Sequence, residues 1–156
     1  MGLPDRDELC TRFDDAIAAA RARRPDPWST SAAVTTPAVY VVGIDGYDEL
    51  VRLDAVGMSE AMAEVVRRLD RLVRSGDLLA RTGPGTLVLA ATSVAPEVAG
   101  ALVERIAGAV VLPLDLDGQT VSLGATVGVG LARADEDAAT ILARAEADLQ
   151  RQRGPG

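Results

Sequence analysis

Arg74-Ser-Gly-Asp77-Leu-Leu-Ala-Arg81-Thr-Gly-Pro-Gly-Thr86-Leu-Val-Leu-Ala90 is the stretch around which the rest of the chain is organised. Leu78 to Ala80 is apolar, Thr82-Gly83-Pro84-Gly85 is turn chemistry, and Thr86 to Ala90 is β-branched and aliphatic. Gly83, Pro84 and Gly85 force a reversal, because glycine reaches positive φ without strain and proline has no N–H for a ladder. The stretch reads as a helix end, a short strand, a tight turn and a second strand. Its tip stands at the end of two buried strands, where rigid backbone can hold a ligand. The side chains on that tip, and those missing from it, decide what the protein can do.

The 156 residues are most simply one domain, 1–156, with one core. Hydrophobic residues make up 48% and charged residues 25%, the balance of a packed chain rather than a disordered one. Aromatics are only 3%, so the core must be Ala, Val, Leu and Ile. All 16 basic residues are arginine, and there is no histidine. That excludes Ser-His and Cys-His couples and imidazole metal ligands. A net charge of −7 argues against a broad nucleic-acid footprint, although a local arginine cluster can still hold one phosphate ligand. The lone Cys10 cannot form an internal disulfide, which fits a reducing compartment. No apolar run approaches the roughly 20 residues a bilayer requires, and Met1 to Glu8 lacks a signal-peptide pattern. The expectation is a cytoplasmic protein that meets neither membrane nor nucleic acid.

From Arg6 to Arg24, Leu9, Phe13, Ile17 and Ala20 share one helix face, and Pro25 and Pro27 end it. Residues 25–37 form a Pro/Ser/Thr-rich loop in which Trp28 is expected as a packing anchor. Ala38 to Ile44 is a continuous apolar run, as in a strand covered on both faces. Asp45-Gly46 breaks it before a short helix, Tyr47 to Leu53, and a longer one, Met58 to Arg74. In the longer helix Met58, Met62, Val65, Leu69 and Leu72 make a core stripe. Pro96 lies early in a helix with Val98, Leu102 and Ile106 inward. Two strands, Val110 to Leu116 and Thr120 to Leu131, are expected to turn at Asp117-Gly118. Asp115 and Asp117 suggest a metal loop, but with Gly118 they read as a hairpin turn. Acids from Asp135 to Asp137 open a last helix that buries Ile141, Leu142, Ala145 and Leu149. The order predicts an α/β, three-layer fold with a mixed central sheet.

In order and spacing the chain resembles the GGDEF domain family, the diguanylate cyclases. Gly2-Leu-Pro-Asp-Arg6 is similar to that family's G-L-P-(N/T)-R opening, and Gly43-Ile-Asp-Gly-Tyr47 sits where the family has D-x-D-x-F. Arg74-Ser-Gly-Asp77 and, five residues on, Gly83 reproduce the spacing of R-x-x-D and G-G-D-E-F. Ala125 to Val129 is similar to a-S-i-G-v, and Ala145 to Leu149 to A-D-x-A-L-Y. The resemblance implies a largely antiparallel nucleotide-cyclase-like sheet flanked by helices. It also implies a reaction that joins two GTP molecules into cyclic di-GMP between two subunits. Magnesium would be held there by the first Asp of D-x-D and the Glu of G-G-D-E-F, since Mg²⁺ prefers carboxylate oxygens.

The chain departs from the pattern at those places. Gly43 stands for the first aspartate, and the signature reads Gly83, Pro84, Gly85, Thr86 and Leu87. Val51 replaces a base-reading asparagine, the G-H-x-x-G-D stretch is lost around Asp54 to Glu60, and Arg153 replaces a lysine. Asp45 survives, as a cap of the following turn. Losing one preorganised electrostatic contact costs ~10²–10³ in rate, and here both metal carboxylates are gone. The expectation is no catalytic residue, no metal, no cofactor and no cyclase activity. The domain would then act as a degenerate regulatory module for a protein partner or a homodimer in cyclic di-GMP signalling. The alternative is a cyclic di-GMP receptor through Arg74 and Asp77, the family's R-x-x-D inhibitory pair, because a guanidinium fork matches phosphate and the guanine edge. Arg67, Arg71 and Arg81 are candidates for a second arginine. A helix cap or a surface ion pair is the plainer account of Arg74 and Asp77.

Overall fold

The computed structural model describes residues 2–22, 35–116 and 118–154, so Trp28, most of the 25–37 loop and Asp117 lie outside the described residues. The elements are α1 (Arg6–Ala22), β1 (Thr36–Ile44), α2 (Tyr47–Leu53), α3 (Ala55–Asp70), β2 (Leu78–Gly83) and β3 (Thr86–Val94). A 3₁₀ turn at Pro96–Val98 leads into α4 (Ala99–Val111), β4 (Leu114–Leu116), β5 (Gln119–Val121), β6 (Ala125–Leu131) and α5 (Ala138–Arg153). Asp54 caps α3 by accepting from the Gly57 N–H at 2.8 Å, and Asp137 caps α5 by accepting from the Thr140 N–H at 2.9 Å.

The central sheet has the order β2-β3-β1-β6, and every pairing in it is antiparallel. Strands β1 and β2 run parallel, as do β3 and β6, but a third strand always separates them. The sheet is thus wholly antiparallel rather than mixed, because β3 returns from β2 by a hairpin and slots between β1 and β2, and β1 in turn lies between β3 and β6. Alternation along β1 sends Ala38, Tyr40, Val42 and Ile44 into the core under α3 and α4. Val39 and Val41 go to the other core, under α1 and α5, with Leu9, Phe13 and Ile17. The result is three layers.

Several expectations change in detail. Val98 is exposed rather than inward, because the Pro96 segment is a 3₁₀ turn whose side chains do not follow the α4 face. Val110 belongs to the last turn of α4, not to a strand, and is buried there. The expected strand Thr120 to Leu131 splits, since β5 pairs with β4 in a separate two-stranded sheet while β6 joins the centre. Leu72 lies beyond α3 and, like Ala20, is only half-buried.

Two features of the sheet fix what surrounds it. A β-carbon on Gly128 would stand 2.3 Å from the Ala145 carbonyl oxygen, so α5 lies directly on β6 backbone. The outer edge of β6 is met by one face of α5. Gln152 donates to the Val127 carbonyl at 2.7 Å, Asp148 accepts from the Val129 N–H at 2.9 Å, and Arg144 donates to the Leu131 carbonyl at 2.8 Å. Burial alone would raise the Asp148 carboxyl, but the bonds from Val129, Arg151 and Gln152 outweigh it and hold it below the usual range. At the opposite edge, the Arg81 N–H of β2 donates to the Pro4 carbonyl at 3.0 Å.

Candidate functional site

The hairpin reverses through Pro84 and Gly85, with Gly83 opposite Thr86. Arg81 reinforces the tip by donating from Nε to the Pro84 carbonyl at 3.1 Å. The tip is tied to β1, because the Ile44 N–H donates to the Gly85 carbonyl at 2.9 Å and Gly43 lies opposite Thr86. Beside this junction opens a cavity of about 530 Å³ whose lining includes Asp45, Tyr47, Asp48, Gly85, Thr86 and Arg153. Leu87, at the last signature position, is fully buried and faces the core.

The Arg153 guanidinium occupies the space next to Gly43, where a β-carbon would stand 2.2 Å from Nη2. A β-carbon on Gly85 would stand 2.5 Å from Cγ of Tyr47, so that side chain covers the signature position before Thr86. Asp45 does not cap the following turn, since no side chain caps α2. It accepts from Thr126 Oγ1 at 2.8 Å and lies 3.8 Å from Arg153. Val51 packs half-buried against the core. Among the described residues, no group of three acidic or thiol side chains could hold a metal ion.

Arg74 and Asp77 lie elsewhere, past the end of α3. Asp77 donates its N–H to the Arg74 carbonyl at 2.9 Å across a turn whose Gly76 has φ 90°, so Arg74 is a turn residue and not a helix cap. No ion pair among the described residues uses Arg74. Both border a largely apolar cavity of about 460 Å³ between the sheet and α4, to which Tyr40, Leu102, Arg105 and Ile106 also contribute. Burial pushes the Asp77 carboxyl up, against hydrogen bonds from the Thr92 and Arg74 backbone and the pull of Arg74.

The second arginine at this cavity is Arg105, which the sequence reading missed. Arg81 is engaged on the hairpin tip, Arg67 pairs with Glu64 at 2.7 Å, and Arg71 is not part of the lining. The signal was local, because Arg105 follows Leu102 by three positions and so shares its helix face.

An antiparallel sheet between two helical layers, with a hairpin tip beside the end of β1, defines the nucleotide-cyclase-like class of folds. The family described as "Diguanylate cyclase, GGDEF domain" matches residues 54–156, more than half of the chain, and the chain belongs to that family. No curated protein matches the sequence. Among solved structures it is similar to a sensory box/GGDEF family protein from Caulobacter crescentus, at 25% identity and TM-score 0.81. That match covers 100% of this chain and 96% of the other. The GGDEF domain of DgcB from the same organism, solved in complex with c-di-GMP, is 18% identical with TM-score 0.79, over 97% and 83% of the two chains. The diguanylate cyclase SiaD from Pseudomonas aeruginosa, solved with its activator SiaC, is 21% identical with TM-score 0.77. It is covered over 56% of its length by 97% of this chain.

Proposed function

We propose that this chain is a single, catalytically inactive GGDEF domain acting in the cytoplasm as a regulatory module of cyclic di-GMP signalling, through a protein partner or a second copy of itself. The observation that carries the reading is the Arg153 guanidinium beside Gly43. A cation there, with Tyr47 over Gly85 and a threonine hydroxyl at residue 86, does not fit magnesium, which needs anionic oxygen. The acidic rim of Asp45, Asp48 and Glu49 also disfavours a triphosphate that brings no metal with it. Incubation with GTP and Mg²⁺, followed by mass analysis of products, should give no cyclic di-GMP. Product above background overturns the reading.

A second reading, a cyclic di-GMP receptor, is favoured by the cavity that gathers Arg74, Arg105 and Asp77. Two guanidinium forks and a carboxylate suit a phosphate and a guanine edge. The complex of DgcB with c-di-GMP supports the chemistry for a protein of this fold. Calorimetry should show micromolar binding to wild type that Arg74→Ala removes. No binding to wild type rejects it.

A further inference from the structure

The Tyr40 hydroxyl has no role in the fold. Tyr40 is 2% exposed, and its oxygen is buried with no hydrogen-bond partner among the described residues. A buried, unpaired hydroxyl costs roughly 1–3 kcal/mol, and β1 is otherwise built of aliphatic residues at its buried positions. The side chain borders the cavity between sheet and α4, and so does the Asp77 carboxylate. The two feel each other directly, since burial first and the Asp77 charge second push the hydroxyl up to about 12. Tyr40 therefore keeps its O–H as a donor, and it and the Asp77 carboxyl both border one largely apolar hollow.

A donor next to an acceptor is the complement of a lactam edge, in which a ring C=O adjoins a ring N–H. Adenine can offer such a pair only as one N–H beside an acceptor nitrogen, whereas guanine adds its 2-amino group to the ring N–H, so a carboxylate takes two N–H groups from guanine and one from adenine. Apolar walls suit a flat ring, and the hollow has room for one base. We propose that Tyr40 is a specificity residue. Its hydroxyl donates to the carbonyl of a planar lactam base, of which guanine is the type, whose adjoining N–H meets Asp77. This deepens the receptor reading of the same cavity and rests on it for the phosphate contacts of Arg74 and Arg105, but not for the base contact.

Tyr40→Phe removes the hydroxyl and leaves the packing, so the variant should fold with an unchanged or higher Tm, as expected when an unpaired polar atom is taken out of a core. Calorimetry with cyclic di-GMP, cyclic di-AMP and GMP on both proteins tests the pairing. Wild type should prefer cyclic di-GMP to cyclic di-AMP, and Tyr40→Phe should bind cyclic di-GMP about tenfold more weakly. Equal binding of cyclic di-GMP by the two proteins means that the hydroxyl serves only a trapped water, and overturns the assignment while leaving the receptor reading intact. Binding of GMP, weakened by Tyr40→Phe, without binding of cyclic di-GMP overturns the receptor reading alone. No binding of any of the three ligands overturns both. Carbon-13 labelling of the two tyrosine ring Cζ atoms, Tyr40 and Tyr47, supplies an independent readout, since only the Tyr40 signal should move on saturation with the bound ligand.

Discussion

The guanidinium of Arg153 lies so close over Gly43 that these two residues define one another: a β-carbon on the glycine would fall 2.2 Å from Nη2 and 2.8 Å from Cζ of the arginine. The atoms in the way are the far end of a flexible side chain, so the overlap can be relieved by rotation. Gly43→Asp should therefore fold within about 1 kcal/mol of wild type in urea denaturation, because a strand glycine is itself unfavourable by about 0.5–1 kcal/mol. The new carboxylate would meet Arg153 before it met a metal, so this variant should still make no cyclic di-GMP from GTP and Mg²⁺. A loss beyond about 2 kcal/mol would show that the guanidinium cannot yield, and turnover would show that one carboxylate suffices.

Gly85 and Tyr47 are coupled more rigidly, since the clashing atoms are Cγ at 2.5 Å and Cβ at 2.8 Å, near the root of the side chain. Gly85→Ala should cost about 1–3 kcal/mol by overpacking. Tyr47→Ala in the same chain should recover most of that loss. A double-mutant cycle measures the coupling, and additive effects of the two substitutions would remove Tyr47 as the cause.

Gly128 is the position least tolerant of change on β6. Its missing β-carbon would strike the Ala145 carbonyl oxygen at 2.3 Å and the Leu149 nitrogen at 2.5 Å, both backbone atoms of α5. Helix and strand would have to separate, so Gly128→Ala should cost more than about 3 kcal/mol or abolish folding. Gly100, with open space around its α-carbon, is the control: Gly100→Ala in α4 should be neutral or stabilising by up to about 1 kcal/mol.

Two aspartates should give opposite pH signatures. Burial raises the Asp77 carboxyl in the folded state, so the fold holds that proton more tightly than the unfolded chain does. Stability then falls as pH rises from the ordinary aspartate value near 3.8 through the folded one, and the whole penalty is present at neutral pH. Asp77→Asn should raise Tm at pH 7 and lose that advantage in acid. Asp137 runs the other way, because its bonds from Thr140 hold it below the usual range. Its contribution is complete above the ordinary value and fades as pH falls through the folded one, so Asp137→Ala should lower Tm at pH 7 and converge with wild type in acid. Parallel Tm profiles for the two variants would contradict the assignment.

Local patterns carried most of the fold. The apolar run Ala38 to Ile44, the turn residues 83–85, the stripe from Met58 to Leu69 and the acids that open the last helix each act within a few positions, so they are readable in one dimension. Where two signals compete locally, the reading slips. The apolar stretch around Val110 suits a strand or a buried helix end equally, and helix packing decides it. The sites were less legible for a different reason. Nothing in the spacing of residues 43 and 153 reveals that they meet, nor in that of 40 and 77 that they border one cavity, because tertiary packing brings them together across long separations. What the sequence does reveal is the loss, namely the missing acids at Gly43 and Thr86.

The three α5 side chains that satisfy the outer β6 backbone, and the Pro4 carbonyl that occupies Arg81 on β2, have a consequence for assembly. A sheet with three groups of its β6 rim engaged by α5 and its β2 rim interrupted at Arg81 offers less purchase to a visiting strand, which disfavours donor-strand exchange and fibril-like stacking along β6. Any partner this molecule recruits must read helices, loops and hollows, and such contacts can be released without unravelling the fold.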